Sequence, residues 1–383
     1  MSASHSAPSF DRRKTLKTLG LGWLALQMPT PARAIGFAGS AEETRAMEVS
    51  EYIQKNYWDQ RRNLYMDKPG KQDPTAIWGG GIVFSSLVAA ARHDKKYLGL
   101  VRDYFRGLDS YWDSKTKIPG YEPVPTAGNA NDKYFDDNAW MVLTFLEAYE
   151  LTGDMKYLKR AKETLAFVLT GWDDKAGGGI WWHVAHKDDA KNTCINAPAA
   201  LGCFKLSKFS DAKTAAQLIE QGKKIVDWTV KVLQAPNGLF MDNIKVSTGV
   251  INRGTLTYNS ALMQRCFIWL HASTKKQEYL DQAVRIGKAA EGLLDGKTGA
   301  YRDPEKWSHL MVEADIEMFR HTKQIIYYTR AKKTCEFHYN KWKAKPDNEV
   351  IDVASVAREL WLVADMETSV GKMFWEKADR VTK

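Results

Sequence analysis

Cysteine is scarce in this chain of 383 residues: Cys194, Cys203, Cys266 and Cys335 are all there are. None forms a CxxC pair or a zinc-ligand spacing, which excludes a zinc module or a disulfide framework as the organising device. Cys194 and Cys203 lie nine residues apart on one expected helix. At ~1.5 Å rise per residue that is too far for a direct bond, so buried free thiols are expected. Long apolar runs are also missing. No segment reaches the ~20 residues that span a bilayer, and stable membrane insertion is not expected. Strand-like alternation of apolar and polar residues is nearly absent, which argues against a sheet-based fold. Nor does one sign of charge dominate any stretch. The 55 Lys and Arg against 46 Asp and Glu leave a net +9, with the basic residues scattered. Nucleic-acid binding would want them clustered, so no nucleic-acid partner is expected.

Residues 1–34 read as a targeting segment. Arg12-Arg13-Lys14-Thr15-Leu16-Lys17 precedes the apolar stretch Leu19 to Met28, and Ala32-Arg33-Ala34 offers small residues at the spacing signal peptidase needs. The paired arginines resemble a twin-arginine export signal, with Thr15 where that signal usually has Phe. The expectation is export to the periplasm or the extracellular space. Cleavage would remove Arg12, Arg13, Lys14, Lys17 and Arg33 together with Asp11, leaving +5. Residues 35–383 are then expected to form one domain.

What the chain does contain is helical periodicity, and it repeats. An apolar helix is followed by a short polar turn and an amphipathic helix rich in Lys and Glu. Apolar helices are expected from Trp78, Asp136, about Asn196, about Tyr258, Val312 (to Thr329) and Ile351 (to Met366). Amphipathic partners are expected at about Ala41–Tyr57, through Lys96-Tyr97-Leu98, Lys156-Tyr157-Leu158 and Glu278-Tyr279-Leu280, to Leu233, and from Ala331 to Lys343. Six apolar and six amphipathic helices cannot bury their apolar sides as isolated pairs. Closing the pairs into a ring does so, which predicts an all-α (α/α)6 toroid. In such a ring the loops leading into the inner helices should carry the chemistry.

One of those loops holds Tyr134-Phe135-Asp136-Asp137-Asn138-Ala139-Trp140. Adjacent anions among aromatics are costly unless they are paired or used. At a helix start, consecutive carboxylates can aim into one cleft. Retaining glycosidases need two carboxyls about 5–5.5 Å apart, one as nucleophile and one as acid/base. The helix N-terminus favours one charge, and that charge raises the pKa of its neighbour. Asp136 and Asp137 are therefore the candidate catalytic pair, although either alone would also suit an N-cap. Tyr134 flanks the pair. Trp181 and Trp182, after Gly177-Gly178-Gly179-Ile180, are candidate sugar platforms. Asn196, Asp242, Tyr258 and Asn259 are candidate hydrogen-bond partners for hydroxyls. Trp78 suits a place in the barrel centre as well as one in the cleft.

Tyr134-Phe135-Asp136-Asp137-Asn138-x-Trp140 resembles the catalytic motif of glycoside hydrolase family 76, the α-1,6-mannanases. Gly177-Gly178-Gly179-Ile180-Trp181-Trp182, Lys191-Asn192-x-x-x-Asn196-x-Pro198-Ala199, Gly238-Leu239-Phe240-Met241-Asp242 and Tyr258-Asn259 resemble later landmarks in the same order. The resemblance covers about residues 45–370; Ser260 and the region of Cys194 depart from it. It implies an (α/α)6 fold and a retaining mechanism. Asp136 would be nucleophile, Asp137 acid/base, and α-mannan the polysaccharide partner of a monomer. It also includes fungal cell-wall relatives linked to glycan transfer.

Other groupings read differently. His183-x-x-His186 with Asp188-Asp189 fixes no third ligand by spacing, so a solvated rim loop is expected, with no metal and no cofactor. Asp173-Asp174 sits in Gly171-Trp172-Asp173-Asp174-Lys175-Ala176-Gly177, which reads as a turn. Sugar 2-epimerases use the same toroid with paired histidines, whereas His93, His271 and His321 fall within or at the ends of apolar helices here. A non-catalytic glycan-binding protein would not require both aspartates.

Overall fold

The computed structural model describes residues 40–126, 128 and 132–368. The expected export segment, residues 1–34, lies outside them. Twelve α-helices are formed among the described residues. Six of them are buried nearly all round: α2 (Ile77–His93), α4 (Phe135–Thr152), α6 (Thr193–Ser207), α8 (Thr257–Thr274), α10 (Glu305–Thr322) and α12 (Val350–Glu367). A helix apolar on every side has to be packed on every side. Each therefore meets two inner neighbours, α2 on α4, then α6, α8, α10 and α12, and α12 returns to α2. This closes the expected (α/α)6 ring.

The outer helices α1 (Ala41–Tyr57), α3 (Tyr97–Gly107), α5 (Met155–Leu169), α7 (Ala212–Leu233), α9 (Gln277–Ala289) and α11 (Ile325–Ala344) bury one face and expose the other. Helix α1 packs on α12, so the chain closes its ring with its first and last described helices. The Trp361 indole N–H donates to Ser50 Oγ at 3.0 Å across that junction.

Short turns join each inner helix to its outer partner. Gly153 (φ 69°) ends α4, and Asp154 then caps α5 by accepting from the Lys156 amide at 3.1 Å. The fifth pair corrects the sequence expectation. Inner helix α10 begins at Glu305 rather than Val312, and the chain breaks at Lys323 (φ 59°) inside the stretch expected to be helical to Thr329. The reason is chemical. The first turn and a half of α10 buries Glu305, Ser308 and His309, which an apolar count misses. The break uses lysine where glycine would have announced it.

Five of the six connections from an outer helix to the next inner one turn back through a tiny antiparallel ladder. These are β1 (Trp58–Asp59) with β2 (Leu64–Tyr65), β3 (Trp112–Asp113) with β4 (Gly120–Tyr121), and the bridges Trp172–Ile180, Gln234–Phe240 and Leu294–Tyr301. Strands this short cannot show a period of two in the sequence. A further sheet of β5 (Ala190–Asn192), β6 (Asn243–Lys245) and β7 (Ile251–Asn252) ties the approaches to α6 and α8 together. No helix among the described residues is long and apolar enough to cross a membrane.

The barrel axis is closed by ion pairs. Arg265 of α8 meets Glu313 (2.5 Å) and Glu317 (2.9 Å) of α10. Arg358 of α12 meets the same Glu313 (2.8 Å), Glu147 of α4 (3.3 Å) and Ser85 of α2 (2.7 Å). Burial works to raise the Glu313 carboxyl, but Arg265 and Arg358 override it and hold it down to about 2. These same residues, with others from the C-terminal halves of all six inner helices, line one cavity, so the inner helices run parallel.

Candidate active site

At the other end the N-termini of α4, α6 and α8 bring their first turns together. Asp136 and Asp137 are the second and third residues of α4, both half-buried. Neither is the N-cap; Tyr134 holds that position without a side-chain bond.

The two carboxyls have unequal surroundings. Asp136 Oδ2 accepts the Trp182 indole N–H at 2.9 Å and faces the Cys194 thiol at 3.6 Å. Its Oδ1 accepts the Asp137 amide at 3.0 Å. The Asp137 carboxylate has no hydrogen-bond partner among the described residues. Burial pushes Asp136 up to about 6, with the Trp182 and Asp137 N–H groups opposing it. Asp137 is pushed well above the carboxylate range by burial and then by the charge of Asp136. As pH rises, Asp136 ionises first and Asp137 keeps its proton. Two titrating groups driven apart in this way can divide nucleophilic and acid roles. The Tyr258 hydroxyl, at the start of α8, is raised by burial and then by the charges of Asp136 and Asp137, so it lies within electrostatic reach of the pair.

Trp182 reaches Asp136 because its segment runs alongside the lead-in to α4. The Phe135 amide donates to the Trp182 carbonyl at 2.9 Å, and Tyr134 pairs with His183. Tyr134 packs edge-on against the Trp182 ring at 5.4 Å and lies over His183. Successive residues of an extended segment point to opposite sides. Trp181 therefore leaves the pair. Its indole donates to Asp173 (2.9 Å), its ring is stacked under His186 (4.0 Å, 12°), and it lines an outer groove of about 680 Å³ with Phe167 and Val184. As a platform beside Asp136, Trp181 is corrected; Trp182 is the one at the pair, as hydrogen-bond donor as well as ring.

Asn196 is also corrected. It is fully buried, accepting the Ile180 amide (2.8 Å) and donating to the Ile180 and Asn192 carbonyls. Asn138 does the same for Tyr121 with bonds of 2.7 and 3.0 Å. Both are the fourth residue of an inner helix, and Ser260 of α8 fills the equivalent place by accepting the Phe240 amide (3.0 Å). These side chains pin each returning ladder strand to the inner helix it feeds. Ser260, a departure from the motif at the sequence level, is a variant of that pin. The recurrence of Asn in the first turn of α4 and α6 is the signal that could have found the role.

Asp242 is half-buried, its Oδ2 accepting from Asn243 (2.8 Å) and Asn252 (2.9 Å) with Asn192 and Asn259 beside it. Burial raises it despite these donors. Its carbonyl accepts the first amide of α6, from Thr193, at 2.8 Å. Asn259 is fully buried beside Asp242, and its side-chain Oδ1 and Nδ2 have no hydrogen-bond partner among the described residues. Trp78 packs half-buried against the core.

His183 and His186 diverge. His183 Nδ1 lies 2.8 Å from Asp132, and its Nε2 faces the Asp188 amide, while His186 lies over Trp181. Asp173 sits in the expected turn, where Lys191 bonds it (2.5 Å) and the carbonyls of Lys175 and Gly178, securing the glycine loop. All four cysteines are buried and free, as expected.

Comparison with known proteins places this geometry. Residues 42–323 match the model of glycosyl hydrolase family 76. The family 76 α-mannanase of Bacteroides thetaiotaomicron has a TM-score of 0.80 at 24% identity, over 86% of this chain and 96% of its own. An inactive variant of the α-1,6-mannanase GH76A of Salegentibacter sp. HEL1_6, in complex with α-1,6-mannotriose, gives 0.72 at 19% identity, over 84% and 99%. Dfg5 of Chaetomium thermophilum, in complex with glucosamine, gives 0.66 at 16%, over 85% and 89%. No curated protein matches. At these identities the solved structures speak for the fold, and the family model for the lineage. The chain is a glycoside hydrolase that belongs to glycosyl hydrolase family 76.

Proposed function

We propose that the chain is an exported, retaining α-mannanase that cleaves α-1,6-mannosidic bonds, with Asp136 as nucleophile and Asp137 as acid/base. The observation that carries the roles is the asymmetry of the pair. Asp136 has N–H donors that favour its anion, and Asp137 has none and sits beside that anion. The Asp136 carboxylate attacks the anomeric carbon while Asp137 gives its proton to the departing glycosidic oxygen. Asp137, now ionised, takes a proton from water, which attacks the same carbon and releases Asp136. Two inversions give retention. Tyr134, Trp182, Asp242 and Tyr258 surround the reacting sugar.

The mannan assignment draws on the Salegentibacter relative. That protein is an α-1,6-mannanase, and the variant inactivated at two adjacent aspartates is in complex with α-1,6-mannotriose. The epimerase reading is disfavoured by position. His93 is engaged by Glu43 (3.0 Å) and Asp365 (2.7 Å), and His271 by the Lys276 carbonyl, at the C-terminal ends of α2 and α8. Export rests on the Arg12-Arg13 segment and predicts that the periplasmic or extracellular fraction holds the protein.

A reducing-sugar assay against linkage-defined mannans tests the substrate. Release of mannooligosaccharides from α-1,6-mannan is expected. Activity confined to another linkage, or interconversion of free sugars, would overturn the proposal.

A further inference from the structure

The first turn of α6 reaches Asp136 by two routes. Cys194 Sγ lies 3.6 Å from Asp136 Oδ2, the oxygen that also accepts the Trp182 indole N–H at 2.9 Å. Two residues on, Asn196 clamps Ile180, which lies two residues before Trp182. Thr193 fixes the same turn from the far side, its amide bonded to the Asp242 carbonyl (2.8 Å) and its hydroxyl to that of Met241 (2.5 Å). Cys194 therefore has a held backbone and a thiol with a defined acceptor.

A carboxylate oxygen has about two lone-pair directions. Oδ2 has two side-chain donors from other segments, Trp182 and Cys194, whereas Oδ1 has only backbone donation from its own turn, the Asp137 amide at 3.0 Å, with the Asp136 amide also bearing on the carboxylate. Oδ2 is therefore the oxygen held by other segments, and Oδ1 is the one left facing away from them. We propose that Cys194 is a positioning residue which, with Trp182, occupies Asp136 Oδ2 and so designates Oδ1 as the oxygen that attacks the anomeric carbon. The proposal rests on Asp136 being the nucleophile. A thiol is a weak donor, but a second donor on one oxygen removes the freedom of the carboxylate to rotate about its Cβ–Cγ bond. It also favours the charged form, because a hydrogen bond to an anion stabilises it.

The full-length enzyme carrying Cys194→Ala or Cys194→Ser tests this. For Cys194→Ala, kcat should fall about three- to tenfold with KM nearly unchanged, the signature of an interaction used in the transition state. The acidic limb of kcat/KM should move up by about 0.5 pH unit, since losing a weak donor makes Asp136 easier to protonate. Cys194→Ser keeps a donor and should restore both. Methyl methanethiosulfonate, which replaces the thiol proton, should inhibit the wild type and spare Cys194→Ser. The other three cysteines are at most 1% exposed against 5% for Cys194. An alanine variant with wild-type kcat and limb would overturn the proposal, and so would a serine variant as impaired as alanine. Melting temperatures separate misfolding from mispositioning. A wild type that cleaves a different linkage fails the substrate reading alone, and the Cys194 comparison then runs on that linkage.

Discussion

The indole N–H of Trp182 donates to Oδ2 of Asp136 at 2.9 Å, across a sequence separation of 46 residues. This bond joins the glycine-tryptophan loop to the first turn of α4 and makes Trp182 part of the charge balance of the site. Replacing Trp182 by Phe keeps a ring and removes the donor. A hydrogen bond to a charged group is worth ~1.5–3 kcal/mol, so kcat/KM should fall at least about tenfold. The acidic limb should move to higher pH. A pH–rate profile of the variant checks both.

The acid/base role predicts a dependence on the leaving group. Asp137→Ala should lower turnover of mannan by about 10²–10⁴, the usual contribution of general acid–base catalysis. An aryl α-mannoside whose leaving group needs no proton should suffer far less. Azide should then accelerate the variant and yield an α-mannosyl azide, detectable by mass spectrometry and NMR. A variant equally slow on both substrates would remove Asp137 from that role.

Burial of the pair has a cost in stability. Asp136 is raised from its ordinary 3.8 to about 6, so the folded state holds a proton that the unfolded chain releases earlier. The Asp136 contribution falls as pH rises from about 4 through about 6 and is fully lost above that, while Asp137, raised further, goes on costing stability at higher pH. Asp136→Asn should therefore melt at a higher temperature than the wild type at pH 7.5, by the equivalent of about 1–2 kcal/mol after weaker hydrogen bonds are counted. At pH 4 the advantage should vanish. Calorimetry at the two pH values measures it.

The fold was legible in the sequence because its signal is coarse. Apolar and amphipathic helices alternate, and six of each close a ring. The Asp136-Asp137 pair was legible because adjacent anions among aromatics have few structural uses. Side-chain direction was not legible. Trp181 and Trp182 are equivalent as letters, and only the extended backbone sends one to Asp136 and the other under His186. Asn196 stood in the right place but is spent inside the scaffold, bonded to Ile180 and Asn192. The start of α10 was hidden by its buried polar residues.

Those buried charges yield a prediction on the scaffold. Arg358→Ala leaves Glu313 and Glu147 short of a partner inside the ring. Removing one member of a buried network costs about 3–5 kcal/mol. The urea midpoint should drop accordingly, at a distance from the Asp pair. A midpoint unchanged from the wild type would mean that water already solvates this layer.

Retention is the central claim, because it is what an adjacent nucleophile and acid/base pair must give. Proton NMR of the first minutes of α-1,6-mannan hydrolysis reads it directly, before mutarotation scrambles the new reducing end. The α-anomer should appear first. First appearance of the β-anomer would mean single displacement by water and would contradict the roles of Asp136 and Asp137.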